Sequence, residues 1–304
     1  MNRTSLRTFL LISFGLAWAL FSLPLAFKND SSPNLYLAAM QVCFMAAMWA
    51  PGIAAIVAIR LVEKQPVIQT LRLNTLGPKR FYLAAWFLPA LITIAGIGAS
   101  ILLGTGTRDP NFTFMRETLA NAPAGTTVPA VEIVVLAQVA SALTFAPFIN
   151  MLFALGEELG WRGFLLPRLM PLGQWRAMLL SGAIWGLWHA PSTLLHGYNF
   201  PQHPYVGMLI MTIGCMLLGV ILSWLTVQTR SPWAAALGHG AFNAVAGLGF
   251  LLLTPGFDTA LAGSPLGLAG WIPMIVVIAL LLWGKQLPIP ERNVSRAEGF
   301  HHEA

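Results

Sequence analysis

Two adjacent carboxylates and a guanidinium, Glu157, Glu158 and Arg162, are the only formal charges between Glu132 and Arg168, in a run that is otherwise overwhelmingly apolar. Ionisable groups at membrane depth are costly and mark function by default. On a helix Glu158 and Arg162 stand at i and i+4 on one face, while Glu157 points about 100° away. The spacing gives the two carboxylates different work. Glu158 has a cationic partner built in, whereas Glu157 has Trp161 four residues on and is left free. Three further polar side chains lie in apolar runs: His189, His239 and Asn243, the last two again at i and i+4 and able to aim at one point.

The chemistry that suits this set is hydrolysis. A carboxylate in low-dielectric surroundings is a stronger base than in water and can take a proton from water. A nearby histidine can orient that water or relay the proton to a leaving amine. An asparagine and a second histidine can donate hydrogen bonds to a developing oxyanion. No serine or cysteine accompanies the set: Cys43 and Cys215 fall in other apolar runs, and Ser181 lies two turns before His189. A covalent nucleophile is therefore disfavoured, and both cysteines read as small buried hydrophobes without a disulfide framework.

The elements that must position these groups follow from composition. With 57% hydrophobic and 9% charged residues, the chain is no ordinary soluble domain, which carries roughly 25% charged residues. It reads as an all-α, polytopic membrane protein. Taking about 20 residues per crossing, the apolar runs at 9–27, 36–61, 81–103, 130–155, 176–195, 205–227, 233–253 and 267–284 predict eight transmembrane helices. Arg3 and Arg7 before the first run resemble a signal-peptide border. The run lacks a small-x-small cleavage site, so a retained span is expected.

Sorting basic residues by loop places fourteen of the 17 on the side of the N-terminus and only Lys28, Arg108 and Arg116 on the other, which predicts that both termini are cytosolic. Residues 1–287 then form one membrane domain, with a chemical core at about 150–245, and 288–304 form a cytosolic tail in which His301-His302 are solvated. Segment 62–80 reads as a cytosolic linker with room for a short interfacial helix, and 104–129, rich in Gly, Thr, Pro and Asn, as an irregular outer loop. The scattered basic residues point to membrane orientation and not to nucleic acid. At 1.5 Å per residue, Glu157 lies about 16 Å from Arg168, His189 about 20 Å from Arg176 and His239 about 14 Å from Arg230. Three separate helices thus carry polar groups at similar depth from one border. Gly182, Gly186, Gly238 and Gly240 beside them allow close backbone approach.

These residues carry a family resemblance. The chain resembles the CAAX protease and bacteriocin-processing (CPBP, or Abi) family of intramembrane glutamic endopeptidases. The family's Glu-Glu-x-x-x-Arg stands here as Glu157-Glu158-Leu159-Gly160-Trp161-Arg162. Its Phe-x-x-x-His stands as Trp185-Gly186-Leu187-Trp188-His189, with tryptophan for phenylalanine, and its His-x-x-x-Asn as His239-Gly240-Ala241-Phe242-Asn243. Order and spacing agree over about 150–245; residues 1–128 carry no matching motif. The resemblance implies that Glu157 activates water with His189, that His239 and Asn243 form the oxyanion site, and that Glu158 and Arg162 are a structural pair. The tryptophan at 185 keeps an aromatic wall there; no metal and no cofactor are expected. The implied partners are membrane lipids and a peptide or protein substrate, membrane-bound or lipid-modified. The expected location is a prokaryotic cytoplasmic membrane, crossed many times. Some relatives trim prenylated CAAX proteins, and others process or resist peptides such as bacteriocins; the sequence does not choose between them.

Two other readings use the same residues. A zinc metallopeptidase would draw on Glu, His and Asn, but His-Glu-x-x-His is absent and the histidines fall on different helices. A proton-coupled transporter would use the carboxylates and histidines as a relay, yet no inverted repeat is visible. A non-catalytic scaffold or immunity role on the same fold is disfavoured because every motif position is filled. The charge sorting also predicts topology: reporter fusions at Lys285 and near Asp109 should lie on opposite sides of the membrane. Finding both on one side would overturn the eight-span arrangement.

Overall fold

The computed structural model describes residues 2–29, 33–123 and 125–288. His301, His302 and nearly all of the expected tail lie outside the described residues. The described chain is helical, with one isolated β-bridge, Arg108 to Leu253. In order the helices are α1 (Arg3–Ser22), α2 (Pro33–Ala47), α3 (Ala50–Val57), α4 (Val67–Thr70), α5 (Arg80–Leu102), α6 (Thr113–Ala120), α7 (Val131–Leu143) and α8 (Ala146–Glu158). There follow α9 (Leu166–Leu169), α10 (Gln174–Trp188), α11 (Ala190–His196), α12 (Pro204–Thr229), α13 (Pro232–Val245), α14 (Leu248–Leu252) and α15 (Leu268–Trp283). Two π-helical segments continue α3 and α8, at Ala58–Glu63 and Leu159–Leu165.

Among the described residues five helical stretches are long and apolar enough to cross a membrane, and a sixth is added if the bent pair of α7 and α8 counts as one span. Leu11, Leu102 and Leu136 are largely exposed on the outside, as a lipid-facing surface requires. The chain is a multi-pass membrane protein. All eight apolar runs are helical, but three differ from simple spans. Run 130–155 bends by 50° between α7 and α8, and run 176–195 breaks at His189, between α10 and α11. Pro147 and Pro191 sit in the first turns of the new helices. Without an N–H, proline is tolerated there and not further inside. The last run forms only the 16-residue α15, with Pro273 inside it.

The expected irregular loop 104–129 also contains α6. Both Asp109 carboxylate oxygens accept from backbone, from Asn111 at 3.0 Å and from Thr113 at 2.5 Å. These bonds hold the turn that leads into α6, and Met115, 4% exposed, anchors the helix on the core. The 62–80 linker holds a single helical turn, α4.

Residues 1–128 lack motifs yet form much of the wall around the motif helices. Trp188 Nε1 donates to the Ser13 carbonyl at 3.2 Å, and Trp18 Nε1 donates to the Trp188 carbonyl at 3.1 Å, which fixes α1 on α10. At the far end Glu63 accepts from Ser5 Oγ at 2.6 Å and from Arg168 Nε at 3.0 Å. One carboxylate therefore ties α1, the end of the first π segment and α9 together.

The motif helices themselves meet through small residues. A Cβ on Gly182 would stand 2.6 Å from Met216 Cα, and one on Gly186 would stand 2.5 Å from Thr212 Cα, so α10 lies directly on the α12 backbone. A Cβ on Gly240 would press into the Met151 and Pro147 backbone of α8. Gly238 differs, since its nearest neighbours are the side-chain tips of Leu225 and Leu222. The Gly240→Val variant should hence lose about 1–3 kcal/mol or more of stability, the cost of overpacking, because backbone cannot move aside as a side chain can. A thermal melt in detergent equal to wild type would show that α8 and α13 are not held in this contact.

Candidate active site

α8 delivers Glu157 and Glu158 at its last two positions, and the π segment Leu159–Leu165 follows at once. Both carboxylates are buried, at 2% and 0% exposure. Their surroundings differ as their helix phase requires. Glu158 Oε1 accepts from Arg162 NH1 and from His239 Nδ1, each at 2.9 Å. Glu157 Oε2 instead accepts from two indoles, Trp185 Nε1 at 2.6 Å and Trp161 Nε1 at 3.4 Å. Among the described residues Glu157 Oε1 accepts no hydrogen bond.

Trp185 is the side chain that the other groups share. Its indole N–H reaches Glu157, the Arg162 guanidinium lies 4.5 Å over its ring, and the His239 ring meets it edge-on at 5.1 Å. The His189 ring also meets it, tilted, with ring centroids 6.0 Å apart. The break after α10 places His189 where its Nδ1 reaches the Trp185 carbonyl at 3.0 Å. That contact assigns the Nδ1 proton to the carbonyl and leaves Nε2 as the basic nitrogen. The Trp188 ring stands edge-on to His189 at 4.8 Å and completes a wall.

Of the sequence-predicted residues, Glu157, Glu158, Arg162, Trp185 and His239 form one buried contact network, with His189 half-buried at its edge. Asn243 is not part of it. It is exposed, one helical turn beyond His239 on α13, beside an open groove that α7 lines with Ile133, Ala137 and Ser141 and that reaches Ala244. Two hydrogen bonds to Glu157 escaped the sequence reading. The Trp161 bond was recoverable, since Trp161 is i+4 from Glu157; the Trp185 bond spans 28 positions and has no local signal.

Residues 138–245 match the family model described as type II CAAX prenyl endopeptidase Rce1-like. Every motif residue named above falls inside that segment. Over those residues the chain is similar to the CAAX-protease family. A protein named CAAX prenyl protease 2 from Methanococcus maripaludis is 26% identical over 145 residues, covering 46% of this chain and 50% of that protein. The chain thus spans about half the length of the curated relative it matches. In that family setting Trp185 stands where phenylalanine is usual, and its indole supplies the shorter of the two bonds to Glu157. Phenylalanine would keep the aromatic wall but could not donate.

The buried Glu158–Arg162 contact carries a direct test. Removing one member of a buried ion pair leaves an uncompensated charge and typically costs about 3–5 kcal/mol. Arg162→Ala should lower the yield of folded protein and its melting temperature, whereas Trp185→Phe, which removes no charge, should fold far better. Wild-type stability of Arg162→Ala would show that the pair does not hold the fold.

Proposed function

We propose that this chain is a membrane-embedded endopeptidase in which Glu157 activates water for attack on a peptide bond. The observation that carries the reading is the separation of the two buried carboxylates. Glu158 is committed to Arg162 and His239, while Glu157 is oriented through one oxygen by two indole donors and keeps Oε1 for a water molecule. Fixed by its neighbours, that oxygen needs no reorganisation to accept a proton.

In this mechanism Glu157 takes a proton from water as the oxygen bonds to the scissile carbonyl carbon. The negative charge moves to the carbonyl oxygen. Donors from α13 stabilise it there: the Asn243 amide and His239 Nε2, the nitrogen not engaged by Glu158. Donation from Nε2 requires the imidazolium form, whose charge Glu158 can balance. His189 Nε2 relays the proton to the leaving amine as the carbon–nitrogen bond breaks. Asn243 stands at the exposed edge of the network, which suits a group that meets substrate entering from outside.

The substrate in this reading is a peptide segment of a membrane-attached or lipid-modified protein, as the name of the archaeal relative suggests. The apolar groove beside Asn243, between α7 and α13, is where the apolar part of such a substrate would lie. The zinc alternative finds little support, since among the described residues no three His, Cys, Asp or Glu side chains converge as a metal site. The orientation with cytosolic termini belongs to the same proposal.

Glu157→Gln keeps size and hydrogen bonding but cannot accept the proton. Loss of a general base costs about 10²–10⁴-fold in rate, so the folded Gln variant should cleave peptide substrates in liposomes barely at all. Asn243→Ala should lose roughly 10²–10³-fold in kcat, the range for one oxyanion donor, with KM little changed. Near wild-type cleavage by Glu157→Gln, or a trapped covalent acyl-enzyme, would overturn the mechanism.

A further inference from the structure

The 50° bend between α7 and α8 leaves one face of α7 uncovered. After the bend α8 lies directly on α13, with Gly240 against the Met151 and Pro147 backbone; before it a groove of about 500 Å³ stands open. Ala137, Ala142, Ala146 and Ala244 give that groove a shallow lining that a backbone can approach closely. Two of its groups are polar. Gln138 and Ser141 stand three positions apart on one face of α7. Among the described residues the Gln138 carboxamide makes one hydrogen bond, a weak one from Nε2 to Met115 Sδ at 3.8 Å. A carboxamide has donors and an acceptor to satisfy, and acyl chains can satisfy neither.

The groove also leads to Glu157. On α8, positions 146, 150, 153 and 157 fall at i, i+4, i+7 and i+11, which makes them one continuous stripe. Ala146 shows that stripe to the groove, and half-buried Asn150 stands on it between Ala146 and Glu157. Among the described residues the Asn150 side chain makes no hydrogen bond. Seven residues at 1.5 Å each put Asn150 about 10 Å from Glu157 along the helix. An extended peptide covers that distance in about three residues, at roughly 3.3 Å each.

We propose that Gln138, Ser141 and Asn150 hydrogen-bond the backbone of the substrate as an extended segment, with Asn150 at about the third residue from the bond that Glu157 cleaves. Alternate side chains of the segment then face the groove, where small ones fit over the alanines. A lipid tail does not suit this track, because it offers nothing to three polar side chains. A helical segment does not suit it either, since its backbone donors and acceptors already pair with one another. The assignment rests on the peptidase reading for the use of the site, while binding can be read apart from cleavage.

The test uses the full chain in phosphatidylcholine nanodiscs and a short synthetic peptide of alternating glycine and leucine, with one photoreactive leucine and an N-terminal dodecanoyl chain. Wild type should cross-link to it within 133–150, and the same peptide with alanine for glycine, which favours helix, should compete poorly. A Gln138→Leu, Asn150→Leu double variant should bind at least about tenfold more weakly, having lost two hydrogen bonds. In cleavage its KM should rise by as much with kcat little changed, as loss of uniform binding requires. If that variant folds poorly, Gln138→Leu with Ser141→Ala decides the matter, since both positions face the open groove. Equal binding by wild type and either folded variant, or no cross-link within 133–150, would overturn the proposal. Displacement of the peptide by dodecanamide alone, equally in wild type and variants, would assign the groove to lipid and overturn it too. Cross-linking that depends on Gln138 and Asn150 without cleavage by wild type would support the site and count against the peptidase reading. Cleavage with KM unchanged in the variants would overturn the site and leave that reading standing.

Discussion

Glu158 Oε1 receives Arg162 and His239 at 2.9 Å each, out of contact with water, and the geometry around Glu157 depends on that junction. A buried ion pair seldom adds much net stability over a well-packed apolar substitute, because desolvation offsets the attraction; removing one member is what costs. The value of the junction lies in what it fixes. It joins the end of α8, the π segment and α13, three elements that hydrophobic packing alone could slide past one another. With a second nitrogen still available on His239, the same contact that locks α13 also orients a donor.

Around this junction Trp185 divides the labour between neighbouring carboxylates. Its ring shields the Arg162 guanidinium, and its N–H makes the shorter of the two hydrogen bonds to Glu157 Oε2. Neutral donors do this differently from a cation. They orient a carboxylate without placing a cation against it, whereas Glu158 is held by one. Phe9, packed against Trp161 and Phe164, supports the second indole from α1, which gives the motif-free N-terminal helix a place in the site.

Much of this was legible in the sequence, and the reasons for the exceptions are physical. Helicity and membrane residence follow from composition, and the Glu158–Arg162 contact follows from i,i+4 spacing. Close approach at Gly182, Gly186 and Gly240 was readable because a missing Cβ beside polar residues has few other uses. Hydropathy windows did not show where spans break, since a proline in the first turn of a helix is as apolar as its neighbours. Segment 104–129 hid α6 for the opposite reason: its polar residues mask a helix steadied by Asp109 and Met115. Contacts such as Glu158 to His239, 81 positions apart, are products of tertiary packing and have no local pattern.

The π segment Leu159–Leu165 bears on how this chain tolerates change in length. A π turn accommodates one residue more than the α-helical ladder would, and it offsets everything after it by about a quarter-turn. Downstream of that offset, Arg168 meets Glu63 while its guanidinium rests 3.6 Å over the Phe164 ring. Deleting Gly163 would let the helix relax to regular winding and swing Arg168 out of phase with Glu63, even though no motif residue had been touched. Surface loops elsewhere absorb insertions and deletions; here the count of residues works like the teeth of a gear, and relatives aligned across this segment should preserve its length more faithfully than its identity.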